Sequence, residues 1–222
     1  MRGENKAVIV AIDGPAGAGK STVARAVAER LGFRYLDTGA MYRALTWLAG
    51  ERGADPEDGP ALAALGSANP VELDAELRVR IAGTDITEAI RLPEIDRLVP
   101  LVARQPEVRL LMRERQRELA NLGDSVIEGR DIGSVVAPRA EVKVFLVADE
   151  SVRAGRRLAE RPGVRAKALA ADMHRRDESD APQTQRAVDA VLIDTTQLSV
   201  EQVVEKIEAL VAEKRVSSGR RS

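Results

Sequence analysis

Residues 7–22 constrain the fold of this chain more than any other stretch. An apolar run from Ala7 to Ile12, strand-like in length, leads into Gly14-Pro15-Ala16-Gly17-Ala18-Gly19-Lys20-Ser21-Thr22. The spacing is a Gly, four residues, then Gly-Lys-Ser. A helical pattern follows to Leu31 and stops at Gly32. The glycines let backbone N–H groups curl round an anion at a helix N-terminus, where the helix dipole favours negative charge. Lys20 is placed to neutralise β- and γ-phosphate oxygens, and the Ser21 hydroxyl to ligate Mg²⁺. Residues 14–22 therefore read as a nucleoside triphosphate site, with ATP the usual occupant.

Beyond this loop, short apolar runs alternate with helical patterns, which predicts an α/β domain around a parallel sheet. Strands are expected over residues 7–12, 33–36, 125–128, 142–147 and 191–194. Helices are expected over 21–31, 40–50, 106–122, 151–161 and 166–176. A last helix starts at Ser199, whose capping box is completed by Gln202, and is expected to reach about 213, with 216–222 a frayed tail. The middle breaks this rhythm. Residues 39–105 read as an insertion carrying helices and a small antiparallel sheet, with strands at 71–73 and 77–81 and a turn at 82–85.

Composition narrows the chemistry. The 222 residues include no Cys and one His, His174, which excludes thiolate chemistry, Cys-ligated metals and multi-His sites. Any metal should be a hard, oxygen-ligated ion such as Mg²⁺. A net charge of −1 and five aromatic residues argue against a nucleic-acid polymer as partner. No apolar run approaches the ~20 residues of a membrane span and no secretory signal pattern opens the chain, so the expected location is the cytoplasm. All but six of the 34 basic residues are Arg, so a lone Arg carries little information. His174, in a polar helical stretch, reads as solvated surface and Trp47 as core.

Among nucleotide-binding classes, a GTPase is disfavoured because no Asn-Lys-x-Asp string exists. A motor would need a strand ending in a catalytic acid pair. Asp149 and Glu150 do follow a strand, but they read as residues favouring the N-terminus of the next helix. A small-molecule kinase is supported by two strings at the ends of expected strands, Tyr35-Leu36-Asp37-Thr38-Gly39-Ala40-Met41-Tyr42-Arg43 and Glu128-Gly129-Arg130-Asp131-Ile132-Gly133. Both lie where α/β sheets bind ligands, and both carry an Arg suited to a second phosphate group.

With these strings the chain resembles bacterial cytidylate kinases, from Ile9 to about Leu210. Val108-Arg109, Arg176-Asp177-Glu178-Ser179-Asp180 and Ile193-Asp194-Thr195-Thr196 add to the resemblance. It implies a P-loop kinase core with a five-stranded parallel sheet flanked by helices, formed by residues 1–38, 106–150 and 177–222. It also implies a nucleoside-monophosphate-binding insertion over 39–105 and a helical lid over 151–176. The implied reaction converts ATP and CMP or dCMP to ADP and the diphosphate, by a chain expected to act as a monomer. By position, Thr38 would sit near the sugar, Arg43 and Arg130 would hold the CMP phosphate, and Arg109 and Asp131 would read the cytosine. Arg176 and Asp180 would close over sugar and phosphates, and Arg153 and Arg157 would meet the transferring phosphoryl group. Tyr42 is a candidate to pack beside CMP, or else it covers the insertion's core. Asp37 either reaches Mg²⁺ through water or caps the following turn.

Two departures from the family pattern stand out. Pro100 occupies a position usually held by Ser on the base-binding side. The usual Asp-Ser-x-Arg continuation is replaced by Asp180-Ala181-Pro182-Gln183, which leaves Arg186 as a weak substitute for a phosphate-binding Arg. The alternatives are a kinase of another acceptor such as UMP or AMP, or a nucleotide-binding regulatory module without phosphoryl transfer.

Overall fold

The computed structural model describes residues 7–219 except 75, 161–170, 172, 176 and 179. Two compact units emerge, one from Met1–Tyr35 with Leu122–Ser222, the other from Leu36–Asn121.

The first unit holds a five-stranded sheet. Its strands are β1 (Ile9–Asp13), β2 (Arg34–Asp37, where the chain passes into the second unit), β6 (Ser125–Gly129), β7 (Val142–Val147) and β8 (Val191–Asp194), in the order β2-β6-β1-β7-β8. Pairing is parallel between β1 and both its neighbours and between β7 and β8. Val10, Ala11 and Ile12 are wholly buried, as strands covered on both faces require. Helix α1 (Lys20–Leu31) presents Val23, Ala24 and Val27 to this core, and the last helix, α7 (Val200–Gly219), presents Val203, Val204, Ile207 and Val211. Gly32 ends α1 in the left-handed conformation at φ +66°, its N–H reaching the carbonyls of Ala28 and Glu29.

The capping box at Ser199 forms in both directions: Gln202 N donates to Ser199 Oγ at 3.2 Å and Ser199 N donates to Gln202 Oε1 at 2.9 Å. The helix it opens runs to Gly219, beyond the expected end near 213, so the stretch from Val216 does not begin a frayed tail. Arg215 accounts for the extension. Its guanidinium stacks over Phe33, pairs with Asp124 at 3.0 Å and so anchors the late turns.

The second unit contains α2 (Thr38–Glu51), α3 (Gly59–Ala68), α4 (Pro93–Ala103) and α5 (Pro106–Ala120). A small antiparallel sheet of β3 (Glu72–Leu73), β4 (Val79–Ile81) and β5 (Thr84–Asp85) completes it. Residues 84–85, expected in a turn, pair instead with Ile81 and Arg80 as the third strand. Helix α5, assigned from sequence to the ATP-binding core, lies in this unit. It packs on α3, where a Cβ on Gly66 would stand 2.8 Å from the Leu111 side chain. Trp47, expected in the core, is only half-buried, while Met41, Leu45 and Leu48 form the buried face of α2.

Candidate active site

In the first unit, β1 lies between β6 and β7, so the chain leaves the sheet in opposite directions on either side of it. A crevice outside the carboxyl ends of such strands is where open α/β sheets bind ligands. The register sets Asp13 opposite Gly129 and Phe145. The phosphate loop and the Arg130-Asp131 pair therefore leave the sheet at the same level.

Glycine at the loop's entrance is a steric requirement. Gly14 has φ +148°, and a Cβ there would lie 2.2 Å from the carbonyl oxygen of Leu146 on β7. Gly14→Ala is expected to cost roughly 2–5 kcal/mol from strain and overpacking, and to lower Tm by roughly 5–15 °C in a thermal melt. Gly32→Ala, with a positive φ but nothing within 4 Å of its Cβ, serves as the milder comparator.

Four cationic side chains grip the carbonyls of the loop. Arg130 Nη1 donates to Gly14 O at 3.3 Å, Lys20 Nζ to Pro15 O at 2.7 Å, Arg153 Nη1 to Ala16 O at 2.9 Å and Arg156 Nη1 to Ala18 O at 3.5 Å. A peptide whose carbonyl is engaged outward turns its N–H the other way, and that leaves amides for an anion at the start of α1. Arg130 also pairs with Asp180 at 3.0 Å, and Arg153 with Asp177. Arg157 lies half-buried on α6 (Glu150–Glu160), one turn beyond Arg153.

Acidic groups complete the arrangement. Glu128 is buried at the end of β6 and accepts hydrogen bonds from Ser21 Oγ at 2.9 Å and from the Tyr35 hydroxyl. Asp13, 3% exposed, accepts from Ile132 N and Gly133 N, each at 2.8 Å. Burial pushes its carboxyl up to about 6, with Asp131 adding to the rise while the two amides and Lys20 oppose it. Its charge at neutral pH is thus held by those amides at an energetic cost.

In the second unit, Asp37 Oδ1 accepts from Ala40 N at 2.9 Å and caps α2, which is the capping half of its sequence reading. Thr38 is buried in the first turn of α2, Tyr42 is half-buried and Arg43 pairs with Asp96 at 3.4 Å. Arg109 opens α5, with Nη1 directed at Ala103 O at 3.5 Å. Pro100 sits inside α4 and has no N–H or hydroxyl to donate.

Arg176 lies outside the described residues, as does most of the stretch 161–176. Arg186 is exposed. His174 is on the surface beside Glu178 at 3.5 Å.

Sequence reasoning passed over Asp13, Glu128, Arg156 and Thr195 as site residues. Asp13 and Glu128 could have been found as acids closing apolar strands at the ligand edge. Arg156 had no such signal among so many arginines. Its role is tertiary: Nη1 and Nη2 reach Thr195 Oγ1 and O at 3.0 and 2.7 Å, and the buried Thr195 hydroxyl stands 3.2 Å from Ala18 O.

Comparison with known proteins agrees with this geometry. The cytidylate kinase family model matches residues 10–213. "Cytidylate kinase" of Bacillus licheniformis is 45% identical, covering 94% of this chain and 98% of the relative. "Cytidylate kinase" of Pelotomaculum thermopropionicum is 47% identical, covering 96% and 97%. Among solved structures, a gluconokinase from Sinorhizobium meliloti aligns over 98% of this chain and 99% of its own with TM-score 0.52 at 15% identity, a likeness of fold alone. The chain belongs to the cytidylate kinase family.

Proposed function

We propose that the chain transfers the γ-phosphoryl group of ATP to CMP or dCMP, yielding ADP and CDP or dCDP, as a cytoplasmic monomer in pyrimidine nucleotide metabolism. The observation that carries this reading is the juxtaposition at one sheet edge of a complete phosphate loop with the Arg130-Asp131 pair. Kinship with proteins named cytidylate kinase over nearly the whole chain supports the acceptor.

The chemistry asks little of the protein beyond placement. The acceptor is a phosphate oxygen, mostly ionised at neutral pH because its second pKa is about 6, so no general base is required. Loop residues 14–22 bind the ATP phosphates, with Lys20 offsetting the charge that develops on transfer. Arg153 and Arg157 meet the moving phosphoryl group. Thr38, Tyr42, Arg43 and Arg109 from the second unit, and Arg130, Asp131 and Asp180 from the first, are the CMP set, joined on family resemblance by Arg176. Lid residues 151–176 exclude water, the competing acceptor.

Mg²⁺ fits the donors present. Ser21 offers a hydroxyl oxygen beside the Glu128 carboxylate, and no cluster of three or more His, Cys, Asp or Glu suited to a metal exists among the described residues. Such a sparse, hard-oxygen set suits an ion that keeps waters and takes phosphate oxygens. Ser21 would ligate it, with Asp37 as a candidate through water. When bound, the ion would neutralise charge developing on the β- and γ-phosphate oxygens.

A coupled ADP-release assay across CMP, dCMP, UMP and AMP tests the proposal. CMP and dCMP are expected to give the highest kcat/KM. ATP binding with no ADP release on any acceptor would instead establish a nucleotide-binding module without phosphoryl transfer.

A further inference from the structure

The loop that carries Arg130 and Asp131 runs straight into a π-helical turn, Ile132–Val136. The first amides of any helical turn lack partners within it. Here both are taken by one distant side chain: Ile132 N donates to Asp13 Oδ1 and Gly133 N to Asp13 Oδ2, each at 2.8 Å and each buried. Two later amides fold back on Asp131, with Val135 N and Val136 N donating to its carbonyl at 2.8 and 3.2 Å. The backbone of Asp131 is thereby held on both sides. The packing leaves little slack, since a Cβ on Gly133 would stand 3.4 Å from Asp13 Oδ2 and 3.3 Å from Lys143 Cδ. The residue that follows β1 adds a third grip, Arg130 Nη1 donating to Gly14 O at 3.3 Å.

We infer that Asp13 is a positioning residue for base recognition: its carboxylate fork clamps the amides of Ile132 and Gly133 and so fixes the Asp131 carboxylate where it meets the base. The inference rests on the reading of Asp131 as the cytosine reader. A carboxylate is the side chain suited to this clamp because it accepts at both oxygens and has no donor to oppose an N–H. Asparagine has the same shape but turns an NH₂ toward one of the two amides. That amide loses its acceptor and is pushed away, and displacements near 1 Å in a reading group are costly.

The test compares wild type, Asp13→Asn, Asp13→Glu and Asp131→Asn in steady-state assays with CMP and with UMP. Asp13→Asn is expected to narrow the CMP/UMP ratio of kcat/KM ~10-fold and to raise KM for CMP ~10-fold, with KM for ATP moving less than ~3-fold. Asp13→Glu, which keeps the charge but displaces the oxygens, is expected to narrow the ratio as well. The ratio does not depend on how much of a variant is folded, because an unfolded molecule turns over neither substrate. Loss of kcat alone, or a rise in KM for ATP as large as that for CMP, with the CMP/UMP ratio unchanged in both Asp13 variants, would overturn the inference and leave Asp13 a support of the phosphate loop. Asp131→Asn separates the two failures. If it leaves the ratio unchanged, the reading of Asp131 fails; if it narrows the ratio while the Asp13 variants do not, the clamp alone fails.

Discussion

Lys20→Ala is expected to lower kcat at least ~10²-fold, measured at saturating ATP and CMP. Lys20 is the first residue of α1, 7% exposed, and its Nζ donates to Pro15 O at 2.7 Å within the phosphate loop. A cation there gains most when negative charge grows on the β/γ oxygens as the bond to the γ-phosphoryl group loosens. Alanine removes that gain and adds no clash, since the long side chain is simply truncated. The charge-assisted hydrogen bond from the Lys20 ammonium to Pro15 O contributes about 1.5–3 kcal/mol, less than the ~5–15 kcal/mol by which a domain is stable, so the variant should fold and give a normal circular dichroism spectrum. The split between parameters carries the diagnosis. A fall in kcat exceeding the rise in KM for ATP marks an interaction made in the transition state. Near-wild-type turnover would sink the assignment of residues 14–22 to the triphosphate.

The phosphate loop was legible because its requirements are local. The apolar run, the glycine spacing and the helix stop at Gly32 lie within one stretch of chain, and each has a steric or electrostatic cause visible in the residue types. The capping box at Ser199 was legible for the same reason. What stayed hidden depends on partners far away in sequence. The amides that meet Asp13 lie 119 and 120 residues on, and a backbone N–H leaves no mark in a sequence. Arg156 reads like any of its neighbours until Thr195 is seen beneath it. The small sheet was half-legible: Val79 and Ile81 alternate as a strand should, but a two-residue strand at Thr84–Asp85 is too short to show a period. Asp37 shows a different limit. An acid before a helix satisfies both a cap and a metal-site pattern, and the bond to Ala40 N shows the first without bearing on the second.

Asp131→Asn is expected to narrow the preference for CMP over UMP, which in the wild type should stand at roughly 10²-fold in kcat/KM, about 2.7 kcal/mol at 1.36 per decade. Cytosine presents an amino group at N4 with acceptors at N3 and O2; on the proposed reading the Asp131 carboxylate would accept from N4 and the Arg109 guanidinium would donate to the acceptor edge. Uracil places a carbonyl at the same position. Its oxygen faces the carboxylate with no proton between them, and sites that leave a charged group unpaired can reject the wrong ligand by up to ~10⁴–10⁵-fold. The lower figure expected here follows from Pro100, which stands inside α4 and has neither an N–H nor a hydroxyl to donate. An amide at 131 can turn its oxygen to cytosine N4 or its NH₂ to uracil O4, so the variant should lose on CMP and hold or gain on UMP. Arg109→Met should weaken both substrates alike, because both keep the O2 acceptor. The measurement is the ratio of kcat/KM for CMP and UMP across wild type and both variants. A ratio unmoved by Asp131→Asn would mean that Asp131 does not read the base, and the choice of cytosine would have to come from other residues.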